Sequence, residues 1–340
     1  MSAGLLLILV AAPLCLWLTG ILRRYALSRN LLDVPNARSS HRLPTPRGGG
    51  LAIVLVVLGM LPVLWLLGWL EAGALIGLWG SGLLVALVGW LDDHGHVRVS
   101  WRLLTHFAAA GWGLVWLGGL PPLPMMGAVW DMGWAGHLLA MVYLVWVLNL
   151  YNFMDGIDGI AGIEAVTVCV GAVLLSWLAV GQAGLPAAGV TGVLAAACAG
   201  FLFWNFPRAR IFMGDGGSGF VGLMLGLLSI QAAWVAPELF WAWVILLGVF
   251  VVDATLTLVR RVVRGVPFHQ AHRSHAYQHA ARRLGRHPPV SLAVGALNLF
   301  WLLPLGVLVV LGWLDGVLGV LLAYLPLAWL AWRFRAGVGE

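Results

Sequence analysis

Long hydrophobic segments separated by short polar connections dominate this sequence. Eleven of them approach or exceed the roughly 20 residues that a helix needs to cross a bilayer. The pattern therefore predicts an all-α, polytopic integral membrane protein of about eleven transmembrane helices, although ten or twelve would also fit. Since no internal repeat or linker interrupts it, we expect a single transmembrane domain over residues 1–340. The segments lie near 3–21, 49–68, 72–91, 103–119, 135–151, 159–180, 185–204, 217–235, 238–258, 290–311 and 315–332.

The basic residues test this count. Lysine and arginine together number 19, and all of them are arginine. With eleven helices, every arginine falls in the connections on one side of the membrane. Positively charged connections favour the cytoplasmic side, so we expect a periplasmic N-terminus and a cytoplasmic C-terminus. The first segment has no basic residues before it, and it is expected to be retained rather than cleaved as a signal peptide.

The composition narrows the function further. The chain is 61% hydrophobic and 9% charged, with a mean hydropathy of +0.96, which excludes a soluble globular protein. The pI of about 9.9 reflects arginine in cytoplasmic connections, suited to anionic lipid headgroups and phosphates rather than to nucleic acid. Cys15, Cys169 and Cys198 lie inside hydrophobic segments, where packing is a better explanation than disulfides or metal binding.

Nearly all polar residues that could take part in catalysis or binding occur in the predicted cytoplasmic connections. These are 22–48, 92–102, 149–162, 205–219 and 259–289. The run NLYNFMDGIDG is the most informative, because a carboxylate at the centre of a membrane helix costs roughly 2.5–3.5 kcal/mol. Its spacing would place both aspartates on one helical face, or one of them would cap a helix. It predicts a site for a cation or a nucleotide, formed by Asn149, Asn152, Asp155 and Asp158.

Two further acidic positions end other hydrophobic segments. Asp92 and Asp93 are adjacent in WLDDHGHVR, and adjacent carboxylates are usually held by a cation or an arginine; the alternative is a solvated turn. Asp215 in FMGDGGSG follows a glycine-rich turn that would expose N–H groups to phosphate, although Asp-Gly also forms ordinary turns. Three acidic positions at the ends of different helices predict one shared metal site, most simply for Mg²⁺.

A basic run, PFHQAHRSHAYQHAARR, covers residues 267–283. Spacing would place His272, His275 and His279 on one helical face. A zinc site is one interpretation of these histidines with His269, but no cysteine accompanies them. The asparagine- and aspartate-rich neighbours favour magnesium. A cationic clamp on a diphosphate fits better, and an ordinary positively charged connection remains the alternative.

Asp253 and Glu164 lie inside predicted helices, where carboxylates usually have a function. They support a competing interpretation, a membrane transporter or proton-coupled carrier with these two as relay residues. Asp253 would alternatively pair with Arg260 or Arg261 one or two turns away. The one-sided placement of polar residues and the absence of a repeat argue against a carrier.

Together these runs resemble the polyprenyl-phosphate N-acetylhexosamine-1-phosphate transferases, the bacterial membrane family that includes phospho-MurNAc-pentapeptide translocase. The resemblance extends from DVPNARSSHRLPTPRGGG through the Asp92–Asp93 pair, NLYNFMDGIDGIAG and FMGDGGSG to the RSHAYQ connection. It implies transfer of a sugar 1-phosphate from a UDP-sugar to undecaprenyl phosphate, with release of UMP. It also implies Mg²⁺, with Mn²⁺ as an alternative, an active site facing the cytoplasm in the bacterial inner membrane, and a chain that could act as a homodimer.

The resemblance also assigns residues. Asp92 and Asp93 match the paired aspartates that act at the lipid phosphate. Asn149, Asn152, Asp155 and Asp158 match the nucleotide and metal motif, with Asn152 and Asp215 at the metal. Arg273 and His275 match the last cytoplasmic loop near the diphosphate. Arg47 and Gly214, in the matching runs PRGGG and MGDGG, complete the expected substrate-binding set.

The chemistry and the donor sugar stay open at this level. Direct attack by the lipid phosphate and a covalent aspartyl-phosphate intermediate are both compatible with the residues. Direct attack is favoured because the phosphate is already a good nucleophile. The HAYQ form of the last loop resembles the subgroup that starts O-antigen synthesis, often with UDP-activated 6-deoxyhexosamines. UDP-N-acetylglucosamine remains an alternative donor.

Overall fold

The computed structural model describes residues 3–35, 43–95, 97–266 and 272–339. Most of them are helical. The helices are α1 (Ala3–Ser28), α2 (Leu51–Leu66), α3 (Ala72–His94), α4 (Val99–Leu117), α5 (Gly133–Met154), α6 (Ile160–Val180), α7 (Gly184–Ala187), α8 (Gly189–Asn205), α9 (Asp215–Val235), α10 (Glu238–Leu246), α11 (Gly248–Val263), α12 (Ala276–Leu284), α13 (Pro288–Leu297), α14 (Leu303–Val310) and α15 (Gly316–Arg333). A 3₁₀ turn precedes α7, and a π-helical turn joins α13 to α14.

The helices confirm a polytopic membrane protein. Within the described residues, seven helical segments are long and apolar enough to cross a bilayer, or eight if α10 and α11, bent by 65°, form one span. Helices α2 and α8 are apolar but shorter. Every predicted hydrophobic segment overlaps a helix. The number of spans, eleven, and the orientation of the termini remain predictions.

Helix α9 occupies the centre of the molecule. From Gly216 to Ile230 all of its residues are buried, and it packs along α3 and α5. Glycines permit the close approach: a Cβ added to Gly89 of α3 would collide with the backbone of Gly216. Small residues of this kind allow van der Waals packing between helices where lipid removes the hydrophobic driving force. The packing brings the C-terminal end of α3 and the N-terminal end of α9 together.

The connection before α2 is a structured loop. Within residues 31–50, β1 (Leu32–Asp33) and β2 (Thr45–Pro46) pair as a short antiparallel ladder. Such pairing is expected, because backbone N–H and C=O groups in a packed loop must find partners. The ladder continues toward α9, since Phe212 N donates to Pro46 O at 2.8 Å. Residues 36–42 of the predicted connection lie outside the described residues.

Two local predictions about helices were wrong. Asp155 and Asp158 do not share a helical face, because α5 ends at Met154 and α6 begins at Ile160. His272 and His275 precede α12, which begins at Ala276, so the histidines cannot line one face of it. His269 lies outside the described residues. Between α4 and α5, β3 (Leu123–Met125) and β4 (Ala128–Trp130) form a second short hairpin.

Candidate active site

Asp93 joins the C-terminal end of α3 to the start of α9. Its Oδ1 accepts a hydrogen bond from the backbone N–H of Asp215 at 3.1 Å, and its Oδ2 accepts one from Gly216 at 3.3 Å. Asp93 is buried, and a carboxylate is favoured at the positive end of a helix. Gly214 makes room for it with φ +80°, where an added Cβ would lie 2.7 Å from Asp93 Oδ2. Asp93 therefore acts at least as the N-terminal cap of α9.

Arg102 links the two other acidic positions, and sequence analysis missed it. Its Nη1 donates to Asp92 Oδ2, and its Nη2 lies 3.3 Å from Asp215 Oδ2. The signal was present, because adjacent aspartates require a nearby positive charge. Arg102 lies in α4, however, and only the return of α4 alongside α3 brings it to Asp92.

Asn152 completes this cluster from α5. With its amide oriented to satisfy both ends, the nitrogen donates to Ser218 Oγ at 2.8 Å and to Asp215 Oδ1 at 3.3 Å. The amide oxygen then accepts from Arg102 Nη2 at 3.3 Å. Ser218 is a second residue that sequence analysis missed. Helices α3, α4, α5 and α9 thus each place a polar group at one point.

Asn149 lies one turn earlier and faces α4. Its Nδ2 donates to Val145 O at 2.7 Å, and its side chain lies beside the buried His106 of α4. Asn149 therefore lies at the contact between α4 and α5. The predicted substrate-binding role of Asn149 stays a prediction.

The cluster suits a divalent cation. No group of three His, Cys, Asp or Glu side chains forms a ready site among the described residues. Even so, Asp92, Asp215 and Asn152 present carboxylate and amide oxygens around one point, and a guanidinium already bridges the two aspartates. Mg²⁺ prefers oxygen ligands and commonly takes one or two carboxylates, completing its shell with water and substrate phosphate. The residues present therefore fit the predicted ion.

Asp155 lies between the cluster and the next helix. Burial raises the pKa of Asp155 to about 7, and the nearby carboxylates of Asp215 and Asp93 act in the same direction. A perturbed carboxylate of this kind beside other carboxylates is typical of a functional site.

Asp158 is held separately, by α13 and the turn before it. Its Oδ2 lies 3.1 Å from Nδ1 of His287, and its carbonyl accepts from Ser291 Oγ at 2.7 Å. Sequence analysis did not single out His287, which follows the basic run by several residues. Asp158 also lines a large cavity at this end of the molecule.

That cavity has a volume of about 910 Å³, within the range of small-ligand sites. Asp158, Gln278 and His287 line it, together with residues of β2. Positive charge dominates the wall, which favours a polyanionic ligand. The arginines are Arg23, Arg208, Arg210, Arg273, Arg282 and Arg286.

The remaining predicted residues occupy distinct places. Arg47 donates to the backbone carbonyl of Asp93, beside the cluster. Arg273 lines the cavity. His275 is buried before α12, with Nδ1 3.5 Å from Asp253 Oδ1. A direct contact of His275 with a diphosphate stays a prediction.

The central part of the sequence matches a protein-family model. The model of "Glycosyl transferase family 4" matches residues 75–233, which include Asp92, Asn152 and Asp215. The chain contains a glycosyl transferase family 4 domain. The family 4 match confirms the resemblance found in the sequence, while Arg47, Arg273 and His275 lie outside the matched segment.

Individual relatives agree. The "Probable undecaprenyl-phosphate N-acetylglucosaminyl 1-phosphate transferase" of Bacillus subtilis is 28% identical over 267 residues, 76% of this chain and 72% of that protein. The "Decaprenyl-phosphate N-acetylglucosaminephosphotransferase" of Mycolicibacterium smegmatis is 31% identical over 240 residues, 66% of this chain and 59% of its own length. A "Phospho-N-acetylmuramoyl-pentapeptide-transferase" of Moorella thermoacetica is 36% identical over 194 residues, 56% and 58% of the two chains. All three are named as transferases, two of them for N-acetylglucosamine and one for N-acetylmuramoyl-pentapeptide.

Proposed function

We propose that this protein transfers a sugar 1-phosphate from a UDP-sugar to undecaprenyl phosphate, which releases UMP and leaves a lipid-linked diphosphate sugar. The observation that carries the proposal is the contact of Arg102 with Asp92 and Asp215, which lie at the ends of two helices long enough to cross a membrane. A lipid acceptor reaches such a site from the bilayer, and a nucleotide donor reaches it from the cytoplasm. The names of the relatives support the same reaction class.

The site chemistry suits the meeting of two polyanions. Phosphoryl transfer depends mainly on positioning and on neutralising charge. Asp215, Asn152 and Asp92 would hold Mg²⁺, which would neutralise phosphate oxygens when bound. Arg102 supplies a further positive charge at the same point. The arginine-lined cavity beside Asp158 would bind the donor's diphosphate.

No general base is needed for the acceptor. A phosphate monoester has a second pKa near 6 and is mostly dianionic at pH 7. We therefore favour direct attack of the lipid phosphate on the donor over a covalent aspartyl-phosphate. The engagement of both Asp93 oxygens by backbone N–H groups of α9 supports a positioning role for that residue and disfavours it as a nucleophile.

The donor is expected to be an N-acetylated hexosamine or 6-deoxyhexosamine. The HAYQ sequence at 275–278 favours the 6-deoxy sugars and the first step of O-antigen synthesis, whereas relatives named for N-acetylglucosamine favour that sugar. We place the protein in the bacterial inner membrane with this site facing the cytoplasm, and a homodimer is compatible with the proposal.

The carrier interpretation has weaker support. A proton relay needs carboxylates that face a path, but Asp253 accepts from the backbone N–H groups of Ala276 and Tyr277, both at 2.9 Å. Glu164 is fully buried and accepts from Asn298 Nδ2 at 2.7 Å. Each carboxylate joins two elements of the fold.

The test is UMP release by purified protein in detergent with undecaprenyl phosphate, Mg²⁺ and a panel of UDP-sugars. We expect release that requires both lipid and Mg²⁺, and the preferred sugar identifies the donor. Asp215→Asn should lower turnover at least about a hundredfold, since even outer-shell changes at metal sites cost 10–100-fold. Asp131→Asn, on the outer side, is the matched control and should keep full activity. No release from any donor by folded protein would refute the transferase.

A further inference from the structure

The start of α12 is anchored to the membrane-spanning part of the fold. Asp253 in α11 uses both carboxylate oxygens, because Oδ1 accepts from Ala276 N and Oδ2 from Tyr277 N, each at 2.9 Å. Asp253 is buried. His275 and Gln278 add a capping box at the same end. The first turn of α12 therefore has a fixed position relative to α11, which a helix of nine residues could not maintain alone.

From this fixed turn, Tyr277 reaches the segment that contains Asp155. The Tyr277 side chain is buried, and its Oη donates to the backbone carbonyl of Phe153 at 3.0 Å. Phe153 belongs to the last turn of α5, whose carbonyls lack intrahelical partners. On the other side of Asp155, Gly156 lies directly against the phenol, so that a Cβ there would overlap Oη. Tyr277 thus contacts Phe153 and Gly156, on either side of Asp155 in the chain.

We propose that Tyr277, held by Asp253, is a positioning residue that fixes the backbone of Asp155 relative to the Asp92–Asp215 cluster. The inference rests on the proposed transferase function. Tyr277 does not line the arginine-lined cavity. A change at Tyr277 should therefore affect turnover and not donor binding. This arrangement also explains why His275 is buried, because His275 is the N-terminal cap of the helix that contains Tyr277.

Tyr277→Phe removes only the hydroxyl, and Tyr324→Phe is its matched control. Tyr324 Oη also donates to a backbone carbonyl, Val244 O, at 2.7 Å, but in the α10–α15 contact away from the site. We expect Tyr277→Phe to lower kcat for UMP release about tenfold, because small displacements of reacting groups cost up to about a hundredfold. KM for the UDP-sugar should stay within about twofold of wild type. Tyr324→Phe should leave kcat and KM unchanged.

Hydrogen–deuterium exchange of the amides of residues 155–159 provides a readout that needs no activity. Tyr277→Phe should accelerate exchange there by about tenfold, and Tyr324→Phe should not. Gly156→Ala, which would displace the phenol, should reproduce the effect and serves as a second variant. Equal exchange in wild type and Tyr277→Phe would overturn the inference, as would faster exchange with unchanged kcat. If wild-type protein releases no UMP, the transferase proposal fails, while exchange still decides whether Tyr277 fixes this segment.

Discussion

Nη2 of Arg102 lies 3.3 Å from Oδ2 of Asp215, so a guanidinium occupies the position between the carboxylates of two different helices. A divalent cation bound by those carboxylates would occupy nearly the same place. The guanidinium and the cation are both positively charged, and two like charges so close together repel each other. Arg102 and Mg²⁺ are therefore expected to compete for Asp215 while both neutralise the site.

This competition predicts the effect of Arg102→Gln. Without the guanidinium, Mg²⁺ should bind more tightly, and the concentration that gives half-maximal UMP release should fall about tenfold, equivalent to about 1.4 kcal/mol. Maximal turnover should fall as well, because one positive charge is lost. The measurement is UMP release as a function of Mg²⁺ concentration.

The control for Arg102 is Arg98→Gln. Arg98 is exposed immediately before α4, one turn before Arg102, so its removal changes the net charge equally. The variant Arg98→Gln should leave the Mg²⁺ dependence of UMP release unchanged. A higher Mg²⁺ requirement in Arg102→Gln would show that the guanidinium organises the ligands and does not compete with the ion.

Asp93→Asn should affect both stability and turnover. The amide oxygen can retain one hydrogen bond to the start of α9, but the charge at the positive helix end is lost, and removal of a helix cap costs about 1 kcal/mol. The melting temperature in detergent and the rate of UMP release should fall together. Asp33→Asn, in β1, provides a comparison outside the cluster. Lost turnover with an unchanged melting temperature would assign Asp93 a direct part in the reaction.

The sequence predicted the convergence of Asp92, Asp93 and Asp215, because hydrophobic segments of known length place their polar ends on one side of a membrane. Arg102 and Ser218 were not predicted, since their contacts depend on which helix faces which. The packing of α3 on α9 decides this through Gly89 and Gly216, and glycines of this kind are spread through the whole sequence. Local spacing contains no information about such pairings.

The histidine run shows a second limit. Helical spacing alone placed three histidines on one face, but the helix begins only at Ala276. The reason is Asp253, which binds the first N–H groups of α12 from 23 residues away in the chain. A helix start that is fixed by a distant carboxylate leaves only a weak local signal, here the pairing of His275 with Gln278.

The raised pKa of Asp155 predicts that the stability of the folded protein depends on pH. Burial raises the pKa of Asp155 to about 7 from its ordinary 3.8, so the folded protein binds a proton there that the unfolded chain releases above pH 4. The stabilisation is complete below about pH 4 and is lost as the pH rises through about 7. In Mg²⁺-free buffer, the melting temperature of wild type minus that of Asp155→Asn should therefore decrease between pH 4 and pH 7. A difference that rises over this range would contradict a raised pKa.

Substitution of an arginine in the arginine-lined cavity should change KM for the donor without changing kcat. Arg208 lines the cavity and is exposed, so Arg208→Gln should weaken binding of the donor's diphosphate without moving Asp92 or Asp215. We expect KM for the UDP-sugar to rise about fivefold to tenfold, or roughly 1–1.4 kcal/mol, with kcat nearly unchanged because the contact is equal in ground and transition states. Added salt should reduce the difference from wild type, since it screens exposed charges. Arg24→Gln, exposed on α1 beyond the cavity lining, controls for net charge. A rise in KM for undecaprenyl phosphate instead of the nucleotide sugar would assign the cavity to the acceptor.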